Sequence, residues 1–201
     1  MLLLFIPLIS LNTACDEAKQ MATVAVPILE DSRPSWARPV DCDTKRVPVM
    51  ANENKAFTET IFCDINQRTP HTIEGTTIGG QNLLHDDFFQ GAQCTPQRTF
   101  FYRKSPEAIY RLKLAPNTMA EIRLDSNCAD LDPFAIRWDR RSPPTTKHAS
   151  SIPQCEMKVN SGDDVLILTS VTRAETYLLG VVGKNGDAGN FRLTINCRSY
   201  R

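Results

Sequence analysis

Three histidines, His71, His85 and His148, are the imidazoles this chain can offer as bases or metal ligands, and they are scattered through polar stretches. His85 alone has acids directly beside it, in His85-Asp86-Asp87, which makes that triplet the most suggestive cluster for chemistry. A hydrolase would have to be assembled from His85, Asp86, Asp87 and a distant loop serine, with base and nucleophile in hydrogen-bond reach. Calcium is the other possibility, because it gathers several carboxylate and carbonyl oxygens at one point. Here Asp86 and Asp87 would have to meet Asp130 and Asp132 across two loops. Acids in solvated turns are the simpler reading of all four. The chain carries no GxSxG, HExxH, phosphate-binding loop or dinucleotide fingerprint. The expectation is a protein that is not an enzyme and needs no cofactor, with calcium as the one candidate ligand ion.

Binding asks less of a sequence than catalysis does. Residues 140–153, RRSPPTTKHASSIP, form a Pro- and Ser-rich stretch between two strand patterns. Together with Arg137 and Trp138 they make a candidate recognition patch of Arg137, Trp138, Arg140, Arg141 and His148, since binding commonly sits on loops at one end of a rigid scaffold. A tolerated insertion is the competing reading. Formal charge is zero, with 23 basic and 23 acidic residues. A nucleic-acid partner is therefore not expected, because phosphate binding needs a basic surplus or stripe.

The opening run MLLLFIPLISL is too short to span a bilayer as a helix but suits the apolar region of a secretory signal. It is followed by Asn12-Thr13-Ala14-Cys15, similar to the lipobox of bacterial lipoproteins, with Thr13 and Ala14 in place and Leu11 one position early. That resemblance implies lipidation of Cys15 and a membrane anchor; ordinary cleavage and a free thiol are the alternatives. Seven cysteines are present, and removing Cys15 leaves Cys42, Cys63, Cys94, Cys128, Cys155 and Cys197. No pair has metal-binding CxxC spacing, so an even set of disulfides in an exported protein is the economical account. Position along the strand pattern suggests Cys94 with Cys197, Cys128 with Cys155, and Cys42 with Cys63.

The elements that must position these residues are strands. Ala108, Tyr110, Leu112 and Leu114 alternate with Ile109, Arg111 and Lys113; Ala120, Ile122 and Leu124 alternate with Glu121, Arg123 and Asp125; Phe134, Ile136 and Trp138 alternate with Ala135, Arg137 and Asp139. Residues 165–169, VLILT, are apolar on both faces, as in a central strand. The strongest signal is RAETYLLGVVGKNGDAGNFRLTINC at 173–197, which reads as a hairpin turning at Asn185-Gly186. It lines up Tyr177, Leu179 and Val181 with Phe191, Leu193 and Ile195 on one face that needs a covering layer. Short strands separated by turn signals, with no sustained helical period, predict an all-β, antiparallel sandwich. The division expected is a signal or lipobox at 1–15, a tether at 16–41, a small lead-in at 42–71 closed by its own disulfide, and the sandwich at 72–197.

The order of features from 72 to 197 resembles the bacterial pre-peptidase C-terminal (PPC) domain. The residues that carry this are Gly75-Thr76-Thr77, the strand SPEAIYRL at 105–112, Asp132 in LDPFAI, Cys155, the strand TYLLGVVG and the closing NGDAGNFRLTINC. Glu107 replaces the family's common Asp, and Cys155-Glu156-Met157-Lys158 stands where an acidic run is usual, with Asp163-Asp164 later. The resemblance implies a jelly-roll-like sandwich, exported or on the cell surface, non-catalytic, with a protein or an envelope polymer as partner. A purely structural envelope protein is the remaining reading.

Overall fold

In the computed structural model the described residues are 39–48, 59–67, 69–84, 88, 91, 105–140, 142–151, 155–157 and 164–200, of which 155–157 are described by their backbone alone. They form a β-sandwich. In chain order the strands are β1 (Thr60–Cys63), β2 (His71–Thr76), β3 (Glu107–Leu114), β4 (Thr118–Asp125), β5 (Leu131–Arg137), β6 (Cys155–Met157), β7 (Asp164–Ser170), β8 (Glu175–Gly183) and β9 (Asn190–Ser199). One sheet has the order β1-β3-β8-β5-β6 and the other β2-β9-β4-β7. Pairings are antiparallel except that β1 runs parallel to β3. The lead-in at 42–71 thus contributes β1 to the first sheet.

The alternation of side chains builds the space between the sheets. Tyr110, Leu112, Tyr177, Leu179 and Val181 from the five-stranded sheet meet Ile122, Leu124, Leu166, Leu168, Phe191, Leu193 and Ile195 from the four-stranded one in a single core. Each such side chain stabilises by roughly 1.5–3 kcal/mol before entropy is subtracted.

The reading of 173–197 as a hairpin is corrected. Asn185 and Gly186 do turn the chain with positive φ, 56° and 89°. The strands on either side nevertheless belong to different sheets: β8 pairs with β3 and β5, and β9 with β2 and β4. Both are central strands with each edge already occupied. The turn therefore folds one strand over the other, so that Tyr177, Leu179 and Val181 and the trio Phe191, Leu193 and Ile195 act as each other's covering layer. The VLILT strand is also corrected: β7 lies at an edge among the described strands, and Ile167 is 55 % exposed.

The five-stranded sheet is buried over part of its other face as well. Ile109, Phe134, Ile136, Leu178 and Val182 are all buried but stand outside the inter-sheet core, on the opposite parity from Tyr110, Ala135 and Leu179. Leu84, whose backbone is bonded to Glu107 on that face, is buried as well, as are Phe88 and Ala149. Ala149 sits in a 3-10 helix at Thr146–Ser151, within the stretch expected to be a plain loop. The end of the Phe134 ring packs against Gly180, its partner across β5 and β8, where a Cβ would fall 2.1 Å from the ring's Cζ.

Among the described residues two disulfides are formed, Cys42–Cys128 and Cys63–Cys197. They correct the expected pairs Cys42–Cys63, Cys128–Cys155 and Cys94–Cys197. Cys63 ends β1 in one sheet and Cys197 lies in β9 of the other, so their bond ties the layers together with Cα atoms 5.5 Å apart. Cys42 belongs to an arm over residues 39–48 whose backbone carbonyls at Asp41, Cys42 and Thr44 accept hydrogen bonds from the Asn190 amide at 2.8, 3.3 and 2.8 Å. Sequence proximity is misleading because the chain between Cys42 and Cys63 connects the arm to a strand in the far sheet. Cys94 lies outside the described residues, as do Cys15 and Arg141; Cys155 is placed by its backbone opposite Ile136.

Candidate functional site

The proposed patch residues Arg137, Trp138 and Arg140 line a cleft of about 440 Å³ where β5 ends and β8 begins. The register Arg137↔Tyr177 brings the chain at 173–176 alongside them, so Arg173, Ala174, Glu175 and Thr176 complete one wall and Ser151 of the 3-10 helix stands on the rim. Sequence spacing does not identify Arg173, Glu175 and Thr176 as partners of Arg137. Their only local signal is the charged RAE that opens the strand TYLLGVVG.

Trp138 is the fixed point of the site. Its backbone N–H donates to the Thr176 carbonyl at 2.9 Å, which continues the β5–β8 pairing one residue further. Its indole Nε1–H donates to the Ser142 carbonyl at 2.8 Å. The ring of His148 meets it edge-on, with centroids 5.2 Å apart, while Nδ1 of that histidine lies 3.0 Å from the Thr145 hydroxyl. The guanidinium of Arg140 sits above the indole, 5.1 Å from the ring centroid. Trp138 is consequently 6 % exposed, and what the cleft presents is the cation lying upon it.

Charge in the cleft is unequally shared. The carboxylate of Glu175 accepts a hydrogen bond from Arg137 Nη2 and another from Arg173 Nε at 3.0 Å. Burial works against its charge, but the two guanidiniums outweigh that and hold the carboxyl below its usual range; the same contact raises Arg137. Arg140 has no carboxylate partner among the described residues; its backbone carbonyl accepts from Arg111 Nη2 at 3.4 Å. Three guanidiniums, those of Arg137, Arg140 and Arg173, thus face two carboxylates, Asp139 and Glu175.

The other candidates fall elsewhere. His85, Asp86 and Asp87 lie outside the described residues. Asp130 is exposed, 3.5 Å from Lys184 Nζ, and its N–H donates to the Asp187 carboxylate at 3.4 Å. Asp132, for which a solvated turn is the simpler reading of the sequence, is instead inside β5 and buried, because the strand starts at Leu131. Among the described residues no three His, Cys, Asp or Glu side chains gather as a metal site would require.

One buried acid has a definite structural place. Glu107 opens β3 on the outer face of the five-stranded sheet and is buried. Its N–H donates to the Gln81 carbonyl at 2.8 Å, and its carboxyl accepts the N–H groups of Leu83 and Leu84. Burial pushes its pKa up to about 8 in spite of those two donors. Glu107 is not among the residues that line the cleft at Trp138.

No family model matches the chain, and no curated protein does. Among solved structures it is similar to PliG of Aeromonas hydrophila, a periplasmic inhibitor of g-type lysozyme, at 10 % identity over 70 % of this chain and 96 % of that one, with a TM-score of 0.39. It is also similar to PliG of Salmonella Typhimurium, described in the same terms, at 8 % identity over 70 % of this chain and 98 % of that one, with a TM-score of 0.35.

Proposed function

We propose that this protein is an exported, non-catalytic binding module of PPC type that engages a macromolecular partner through the cleft at Trp138. The observation that carries the reading is the cleft itself: an open recess of about 440 Å³, lined by Arg137, Arg140 and Arg173 around a locked tryptophan. Loops and strand ends at one end of a rigid sandwich are where such scaffolds place recognition. Export is supported by the two disulfides, which persist in oxidising compartments, and by the apolar start of the sequence. Attachment to a membrane through a lipid on Cys15 belongs to the same reading. Two or more acyl chains would hold the protein lastingly where a single chain is marginal.

Site-specific photocrosslinking tests the cleft. A crosslinker at Ser151, on the rim, should capture a discrete partner in intact cells, while one at Ile167, on the far sheet, should not. Equal labelling at both positions, or none at Ser151, overturns the proposal. Turnover of an ester, peptide or glycoside by purified protein would overturn the non-catalytic part. For the anchor, Cys15→Ser should move the protein from the membrane to the soluble fraction; unchanged fractionation would remove the lipid from the account.

A further inference from the structure

Glu175 already holds Arg137 and Arg173 by one hydrogen bond each, and Arg140 is the guanidinium of the cleft with no carboxylate of its own among the described residues. We propose that the cleft is a carboxylate-binding site whose ligand is an acidic segment of a protein partner, selected by Arg140 held on the face of Trp138. This rests on the binding-module reading and names the chemistry of its ligand.

The argument begins with order. An arginine free in solution surrenders much rotamer entropy when it clamps a ligand, whereas one already stacked on an aromatic face surrenders less. Trp138 is itself fixed by the Thr176 and Ser142 carbonyls and by the edge of His148. The stack therefore presents the N–H groups of Arg140 in a set direction, and their planar fork matches a carboxylate.

The kind of anion follows from charge. Three guanidiniums against the carboxylates of Asp139 and Glu175 leave one positive charge uncompensated. A singly charged carboxylate balances it. A phosphate dianion would bring a second negative charge against Glu175, which already lies in the wall of the cleft.

The kind of molecule follows from the aromatic surface. Sugar rings and nucleobases are gripped by stacking on an open aromatic face, and here that face is covered by Arg140, with Trp138 6 % exposed. An Asp or Glu side chain on an extended peptide needs no such platform.

The test uses the full-length protein with Trp36→Phe, which leaves Trp138 as its single tryptophan reporter. Titration with a short capped peptide rich in Glu should change the emission saturably, and the effect should weaken as salt is added. The same peptide with Gln at each Glu should give no saturable change. Arg140→Gln and Arg140→Lys should each weaken the Glu peptide at least about tenfold, the second because it keeps the charge and loses the fork. Lys113→Gln, beside Phe62 on β3, should leave binding unchanged. Equal binding of the two peptides, wild-type affinity in Arg140→Gln, or binding of an oligogalacturonate in preference to the Glu peptide would each overturn the proposal. If the Glu peptide fails while crosslinking at Ser151 persists, the module stands and this ligand chemistry falls. If both fail, both fall.

Discussion

The carboxyl of Glu107 accepts the backbone N–H of Leu84 through both oxygens, at 3.0 and 3.2 Å, and so fastens that segment to the outer face of the five-stranded sheet. The acid is buried, and burial raises its pKa from 4.5 to about 8. The folded protein therefore keeps a proton that the unfolded chain has released anywhere between those two values. The stability this group contributes is complete below pH 4.5, declines as pH rises, and is lost above about 8. Denaturant unfolding across that range should show the decline, and Glu107→Gln should flatten it. An unaltered slope in the variant would show that another group titrates.

Gly180 is required by the ring that packs against it. A Cβ there would fall 2.1 to 2.8 Å from three atoms of Phe134, and both residues are in the middle of paired strands with no room to withdraw. Gly180→Ala should destabilise by about 1–3 kcal/mol, the usual range for overpacking. The companion change Phe134→Leu should relieve part of that cost in the double variant, read as non-additivity of unfolding free energies.

Asn190 holds the arm at 39–48 by donating to three backbone carbonyls from a buried position. Asn190→Ala should cost about 0.5–1.5 kcal/mol, since it removes hydrogen bonds to carbonyls of the exposed residues Asp41, Cys42 and Thr44, which water can then reach. Limited proteolysis should then cut near Asp41 to Thr44 at a rate the wild type does not show. Resistance there would mean that Cys42–Cys128 alone suffices to hold the arm.

Peptide mapping without reduction should recover Cys42 linked to Cys128 and Cys63 linked to Cys197, and it will also report the state of Cys94 and Cys155. Replacing both Cys63 and Cys197 by Ala should cost about 2–5 kcal/mol, as for long closed loops. A Cys42–Cys63 linkage in the map would place β1 elsewhere and overturn its pairing with β3 at the edge of the five-stranded sheet.

Local chemistry by itself determined that the chain folds as strands and which side chains of them are buried. Tyr110, Leu112, Ile122, Leu124, Phe134, Ile136, Tyr177, Leu179, Phe191 and Leu193 are legible from period-two alternation, and all ten are buried. Alternation assigns a residue to one side of its own strand, however, and is silent about which strand lies next to it. That is why Asn185-Gly186 is legible as a turn while the assignment of its two strands to opposite sheets is not. The same silence conceals the partly buried second face of the five-stranded sheet, where Phe134 and Ile136 point away from the core that holds Ala135 and Leu179. At the site, Arg137, Trp138 and Arg140 are visible in sequence because an aromatic among cations is a local feature. Arg173 and Glu175 become their neighbours through the β5–β8 register, a pairing between segments nearly forty residues apart (Arg137 to Glu175, 38 positions). Only the packed sheets decide such a pairing, because the hydrogen bonds of a strand edge are the same for every partner and the choice among partners is made by the core that all of them must bury together.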